Sequence, residues 1–258
     1  MPAQRLLGRR MFVTQIARAT LGVVVMGSLA ACATSGEGAS AEGASAGSGR
    51  SSPPDTPPTG GPDAADWHRV NLGFVSAYIL ARAGEAAVVD TGVEGSAGDI
   101  EQALTAAGLD WAAVGHVILT HKHPDHVGSA AAVLERAADA TPYAGRADIP
   151  AIDVPREVTA VADGDEVFGL QIIATPGHTP GHICVLDRAG GLLVAGDALS
   201  GGQGGVAGPN AQFTEDMDTA NESVRKLADY TFHTVVFGHG EPVDTGADAE
   251  VAELAASL

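Results

Sequence analysis

Three histidines and an aspartate fall within six positions, in the run His121-Lys122-His123-Pro124-Asp125-His126. Imidazole nitrogens mixed with carboxylate oxygens suit zinc, and also iron or manganese. The run begins where the apolar stretch Val114 to Leu119 ends, a stretch with the length of a buried strand. Side chains that alternate at a strand end and then turn can bring three imidazoles and a carboxylate into one small volume. A single histidine there would read as a solvated or capping residue; this density reads as a metal site.

Three later apolar runs end in the same way. Thr175-Pro176-Gly177-His178 follows Leu170 to Ala174, Gly196-Asp197 follows Leu192 to Ala195, and Gly238-His239-Gly240 follows Val235 to Phe237. Each sets a ligand-type residue just beyond a strand, beside a glycine that lets the backbone approach closely. Open sheets hold ligands beyond strand ends in this manner.

The elements that must position these groups alternate in type. Val75 to Leu80 and Ala86 to Val89 read as strands joined by a tight Ala83-Gly84-Glu85 turn. A helix is expected from Ala97 to Ala107, ended by Gly108, and another from Val127 to Ala138, just after the histidine cluster. Ile183 to Leu186 is a further strand, Asp216 to Ala228 a helix, and a last helix closes the chain after Asp244. Hairpins mixed with crossover helices imply layered sheets covered by helices, of the α/β or α+β class.

On these motifs the chain resembles the metallo-β-lactamase-fold hydrolases, over nearly all of Val70 to Val243. His121 to His126 matches that family's signature without a gap, and Thr175-Pro176-Gly177-His178-Thr179-Pro180-Gly181-His182 is especially similar to the glyoxalase II branch. The resemblance implies an α+β fold, a four-layer αββα sandwich of two mixed sheets flanked by helices, with two divalent metals at one edge. One metal would take His121, His123 and His178; the other would take Asp125, His126 and His239, with Asp197 between them. Asp90, in Asp90-Thr91-Gly92, and His182 would support the ligands from behind rather than bind metal. The implied chemistry is attack of a metal-activated hydroxide on a thioester, ester or lactone carbonyl, with Asp125 and Asp197 orienting the nucleophile. The implied metal is zinc, with iron or manganese as alternatives, and the implied partner is a small-molecule substrate.

Composition agrees with one sizeable core and excludes one class of partner. Of 258 residues, 45% are hydrophobic and 18% charged, enough apolar surface for a single large domain. The formal net charge is −18, and Lys and Arg do not cluster beyond the N-terminal segment, so a nucleic-acid footprint is lacking. His68, His116 and His233 match no ligand position and are expected at element edges. Cys184, within Ile183-Cys184-Val185-Leu186, reads as a buried small hydrophobe and not a catalytic thiol.

The N-terminus reads as an address. Gly8-Arg9-Arg10-Met11-Phe12-Val13 resembles a twin-arginine export signal, and Leu29-Ala30-Ala31-Cys32 resembles a lipobox. Residues 1–31 are then a signal peptide and Cys32 the lipidated first residue of the mature chain. Residues 32–66 form an Ala, Ser, Gly and Pro linker, and 67–258 the hydrolase domain. Export would anchor the domain to a bacterial membrane outside the cytoplasm. An uncleaved N-terminal anchor is the alternative.

Glyoxalase II proper carries an additional C-terminal helical region that helps hold glutathione, whereas here a short tail follows His239. Substrate selection is therefore expected to fall to Ala198 to Glu215, read either as a flexible lid or as an irregular connection. Three other functions stay open at this point: a β-lactam hydrolase, a mononuclear iron persulfide dioxygenase, and a metal-binding lipoprotein without catalysis. Aspartate at 197 excludes only the β-lactamase branch that uses a cysteine ligand there.

Overall fold

The computed structural model describes residues 63–202 and 204–258. The export signal, Cys32 and the linker up to residue 62 lie outside the described residues.

The described part opens with a meander of β1 (Asp66–Asn71), β2 (Ser76–Arg82) and β3 (Glu85–Val89), paired antiparallel. Gly84, at φ +84°, and Ala83, at φ +53°, make the tight turn between β2 and β3. After α1 (Ala97–Ala106), β4 (Val114–Leu119) joins β3 in parallel. Two helices follow, α2 (Pro124–Val127) and α3 (Ala130–Arg136), before β5 (Thr141–Gly145) and β6 (Thr159–Val161) complete a six-stranded mixed sheet ordered β1-β2-β3-β4-β5-β6. The second sheet is built from β7 (Glu166–Val167), β8 (Leu170–Ala174), β9 (Ile183–Asp187) and β10 (Leu192–Val194). A ribbon of β11 (Ser200–Gly202) and β12 (Gly205–Ala207), helix α4 (Met217–Leu227), β13 (Thr234–Val236) and helix α5 (Ala247–Ser257) finish the chain. β13 lies parallel to β10 at one edge, giving the order β13-β10-β9-β8-β7.

The alternation of apolar residues explains the layering. Tyr78, Leu80, Val89 and Ile118 of the first sheet share one core with Ile172, Val185, Val194 and Val236 of the second. The intervening residues point the other way. Ile79, Val88, Val117 and Leu119 pack on Ile100, Leu104, Val133 and Leu134 of α1 and α3. Ile173, Leu186, Leu193 and Val235 pack on Val224 and Leu227 of α4 and Val251 of α5. Successive strand residues face opposite sides of a sheet, so unbroken apolar runs are what a sheet covered on both faces requires. The result is the expected α+β arrangement of two mixed sheets between helical layers.

Three expectations need correction. The helix expected over Val127 to Ala138 is two helices, and the first begins at Pro124, inside the histidine cluster. Gly128 and Ser129 break it: a Cβ on Gly128 would lie 2.5 Å from Glu94 N, and the Ser129 hydroxyl accepts the Ser96 N–H and donates to Val93 O. Residues 198–215 contain a regular ribbon, too short to show an apolar period. Its Gly201 N–H donates to His239 O at 2.9 Å, and its far end is tied by Glu215 N–H to His178 O at 3.2 Å. The stretch is anchored at both ends to loops of the histidine site. His68 and His116 lie within β1 and β4 and not at element edges. Among the described residues, no helix is long and apolar enough to cross a membrane.

Candidate metal centre

The C-terminal ends of β3, β4, β8, β10 and β13 open onto one edge of the sandwich. These ends deliver Asp90, the run His121 to His126, His178, Asp197 and His239 in turn. The short helix α2, with Pro124 at its first turn, carries Asp125 and His126.

Two triads form. His123 Nδ1 lies 3.0 Å from both His121 Nε2 and His178 Nε2. The three rings stand nearly perpendicular to one another, with every centroid pair 4.7 Å apart. Tetrahedral zinc at about 2.0–2.1 Å from nitrogen spaces its ligand atoms about 3.3 Å apart, close to the spacing seen. In the second triad, Asp125 Oδ2 is 3.3 Å from His239 Nε2 and 4.0 Å from His126 Nε2. Both triads, and a third group of His121, His126 and Asp197, place ligand atoms within 4.8 Å of one another. Asp197 faces both triads: its Oδ1 is 3.3 Å from His126 Nε2, and its Oδ2 is 3.4 Å from His178 Nε2 and from His239 Nε2.

The donor set fits cations. His126 Nε2 and Asp197 Oδ1 are buried and, although 3.3 Å apart, are not aligned as a hydrogen bond, so neither has a partner. Buried polar atoms left unpaired are costly; a cation at this point would satisfy both.

The groups behind the ligands settle which nitrogen points inward. Asp90 Oδ1 accepts the Thr120 N–H, and its Oδ2 accepts from both Thr120 Oγ1 and His126 Nδ1, each at 2.7 Å. With its proton given to Asp90, the Thr120 hydroxyl accepts from His121 Nδ1 at 3.0 Å. His121 and His126 thus both hold a proton on Nδ1 and turn Nε2 toward the centre, where it would be free of its proton when a cation is bound. Asp90 sits at φ +61°, a backbone region that aspartate tolerates better than most residues. His182 is not among the converging ligand groups. Its Nε2 accepts the Asp197 N–H at 3.0 Å, and its Nδ1 donates to Thr175 Oγ1 at 2.8 Å. Thr175 in turn lies 3.3 Å from Cys184 Sγ, which donates to Ala195 O. Burial pushes the Cys184 thiol up to about 12, as expected of a packing residue.

The two triads differ electrostatically. Burial holds His121 well below the ordinary histidine value, lowers His123, and holds His178 at about 4 and His182 at about 3. Burial would depress His126 also, but the adjacent Asp90 and Asp197 carboxylates outweigh it and raise His126 to about 10. Hydrogen bonds to Asp125 and Asp197 raise His239 to about 10. These shifts fix a pH profile for the protein stripped of metal. Below 6.5 the unfolded chain takes up protons that His178 and His182 refuse, so stability falls with pH. The contribution of His126 and His239 is complete below 6.5 and is lost as pH rises through about 10. Chelator-treated protein should therefore show its highest Tm near pH 6.5, and a Tm that stays flat from there to pH 10 would contradict charged His126 and His239.

All nine residues assigned from sequence, Cys32 aside, meet at this edge. Sequence reasoning passed over Thr120, Thr175, Thr214 and Asp148. Thr214 Oγ1 lies 3.2 Å from His178 Nδ1; Asp148 binds the loops on either side of the three-histidine triad. Position just before a ligand was a usable signal for Thr120; Asp148 had none, because β5, which delivers it, was not recognised. His116 is elsewhere, between the Tyr143 and Phe168 rings.

Comparison with known proteins follows the same lines. Residues 70–239 match the family model described as the metallo-beta-lactamase superfamily. A relative described as "probable metallo-hydrolase YflN", from Bacillus subtilis (strain 168), is 32% identical over 216 residues, covering 66% of this chain and 81% of the relative. A hydroxyacylglutathione hydrolase of Alkalilimnicola ehrlichii is 40% identical over 120 residues, covering 45% of this chain and 43% of the relative. Among solved structures, a metallo-beta-lactamase family protein from Thermus thermophilus superposes with a TM-score of 0.59 at 24% identity, covering 74% of this chain and 77% of that one. The metallo-beta-lactamase SMB-1 superposes with a TM-score of 0.61 at 21% identity, covering 75% and 92%. At those identities the two structures speak for the fold.

Proposed function

We propose that this chain, which belongs to the metallo-beta-lactamase superfamily, is a two-metal hydrolase that cleaves a thioester, ester or lactone carbonyl. One observation carries the reading: Asp197 reaches a nitrogen of each triad at 3.3–3.4 Å, with a buried oxygen that no protein group satisfies. His121, His123 and His178 would hold one divalent cation and Asp125, His126 and His239 the other, with Asp197 shared. When bound, such cations supply Lewis acidity toward water and toward a carbonyl oxygen. The chain's own groups do the positioning. Asp90 holds His126 and, through Thr120, His121 in the right tautomer, and His182 fixes the backbone of Asp197. Asp125 and Asp197 offer carboxylate oxygens that can accept a proton of the attacking water and aim it. Among the described residues no Ser or Cys side chain hydrogen-bonds to a ligand of either triad, which leaves water as the nucleophile.

The rim supports an uncharged, apolar acyl group. Among the described residues, Phe74 and Phe213 are the two strongly exposed aromatic residues, at 64% and 59%. Phe74 stacks on His239 with 6.1 Å between centroids and 13° between planes, and its carbonyl accepts from His239 Nδ1 at 2.7 Å. Phe213 adjoins Thr214, the partner of His178. Two basic side chains that border the ligand loops are engaged: Lys122 Nζ pairs with Glu215 at 2.7 Å, and Arg69 with Glu241 and Gly240 O. The likeness to hydroxyacylglutathione hydrolases favours a thioester or its oxygen analogue over a β-lactam. A panel of thioesters, esters, lactones and β-lactams tests the reading. Turnover of the first three with neutral acyl chains is expected, and a protein that cleaves only β-lactams overturns it. Covering one phenyl is worth about 1.5–3 kcal/mol, so Phe74→Ala should raise KM for long-chain substrates about tenfold or more and leave acetyl substrates nearly unchanged.

The same reading puts the activity outside the cytoplasm, on the strength of Arg9-Arg10 and the Leu29 to Cys32 motif. Mass spectrometry of the protein from membranes should find a lipid-modified N-terminal Cys32; an intact, unmodified Met1 would rule this out.

A further inference from the structure

Asp148 stands between the two loops that carry the three-histidine triad, although it binds none of the three histidines. It follows β5 of the first sheet and is fully buried. Its Oδ2 accepts the Lys122 N–H at 3.0 Å and the Thr179 hydroxyl at 2.5 Å, and its Oδ1 accepts the Gly181 N–H at 2.8 Å. Lys122 is the residue between His121 and His123, and Thr179 directly follows His178. One carboxylate therefore holds a loop of the first sheet, carrying two ligands of this triad, against a loop of the second sheet, carrying the triad's third.

The surrounding glycines show how closely this joint is fitted. A Cβ on Gly181 would lie 2.5 Å from Asp148 N, and a Cβ on Gly145 would run into Gly181 O. The turn from Gly145 to Asp148 and the loop at Gly181 thus meet backbone to backbone, and the Asp148 side chain reaches on from there to Lys122. Nothing else is asked of this side chain: no Lys, Arg or His lies within ion-pair distance of it among the described residues.

We propose that Asp148 is a positioning residue that sets the mutual geometry of His121, His123 and His178, and so the affinity and coordination of the metal they hold. The inference rests on the two-metal reading. Its physical basis is that a carboxylate can accept from three donors on two sides at once, which no neutral isostere can do. In Asp148→Asn the amide NH2 must face one side. Turned toward Lys122, it loses that N–H; turned toward Gly181, it loses that one. Either way a buried donor is left unpaired and one ligand loop is released from the other. The Asp125, His126 and His239 triad hangs on Asp90, Phe74 and the β13 loop, and Asp148 does not touch it.

The test uses the full chain, stripped of metal and reloaded with cobalt(II), whose visible spectrum reports coordination. Wild type is titrated first; failure to bind two equivalents overturns the metal reading and this proposal with it. Given two equivalents, Asp148→Asn should weaken the first by about 10–100-fold in chelator competition and shift the cobalt spectrum of that site. The second should change by less than about threefold. Thr179→Val, which removes one of three donors, should fall between, and Thr179→Ser should restore wild-type behaviour. Urea unfolding of the metal-free variants shows whether they fold, and Thr179→Val carries the test if Asp148→Asn does not. Two equivalents bound with wild-type affinity and spectrum would overturn the proposal. So would equal weakening of both sites in step with a loss of unfolding free energy, the mark of a merely structural residue.

Discussion

Asp197→Ala should lose both metal binding and turnover while the fold persists. Its carboxylate lies within 3.4 Å of His126, His178 and His239, so its removal leaves three imidazoles facing one another with no shared negative charge. Two cations there would then share a single carboxylate, Asp125, which lies beside His239 and does not reach the three-histidine triad. If such coordination supplies several kcal/mol of transition-state stabilisation, at 1.36 kcal/mol per tenfold, kcat/KM should fall by about 1,000-fold or more. The apo fold is expected to persist, with the share of the His126 and His239 stabilisation that Asp197 supplies lost, because the backbone N–H at 197 still donates to His182 and an unpartnered buried oxygen is removed. Elemental analysis and steady-state kinetics on one preparation check this. An active variant loaded with its full metal complement would refute the bridging role of Asp197.

Asp90→Asn separates tautomer control from folding. Asparagine has the same size and also tolerates the left-handed conformation at φ +61°, and its carbonyl oxygen can still accept the Thr120 N–H. Its amide then faces His126 Nδ1, where aspartate accepts a proton. The imidazole answers by accepting at Nδ1, which moves its proton to Nε2, the atom that must be a lone pair toward metal. The Thr120 hydroxyl loses its acceptor as well, and with it the hold on His121. The expected result is a loss of about 10–100-fold in metal affinity, with Tm of the metal-free protein lowered only modestly. Nitrogen NMR of the imidazoles would show the His126 tautomer directly. Unchanged metal affinity in a folded Asp90→Asn protein would contradict this relay.

The parts of the fold that are legible in the chain are those buried on both faces. β4, β8 and β10 are mostly apolar, interrupted only by Gly115-His116 in β4 and Gln171 in β8, and their boundaries lie within a residue of expectation. β1 was not legible, because its Asp66-Trp67-His68-Arg69 start mixes charge with aromatics at the outer edge of a sheet. β5 carries Pro142 and Thr141, and the three-residue β6, β11 and β12 are too short for any period. The metal ligands were legible for a different reason: His and Asp beside Gly at a strand end have few other uses. The residues that hold those ligands in place were not. Thr120, Thr175 and Asp148 are common residue types whose role comes from contacts across 7 to 33 residues of chain, which spacing along one strand end does not display.

The helix start at Pro124 follows the same logic. His126 N–H and Val127 N–H both bond back to His123 O, so the turn that closes the metal cluster is itself the first turn of a helix. Tertiary contact of Gly128 and Ser129 with the 93–96 loop then ends it early, against the helical propensity of the alanines that follow.

The central claim is that seven side chains hold two divalent cations for hydrolysis. Elemental analysis of the purified chain, paired with a thioester hydrolysis assay before and after chelation, tests it most directly. The account predicts two zinc or similar divalent ions per chain, with activity lost on chelation and recovered on reloading. A single iron with consumption of oxygen, or full activity without metal, would contradict it.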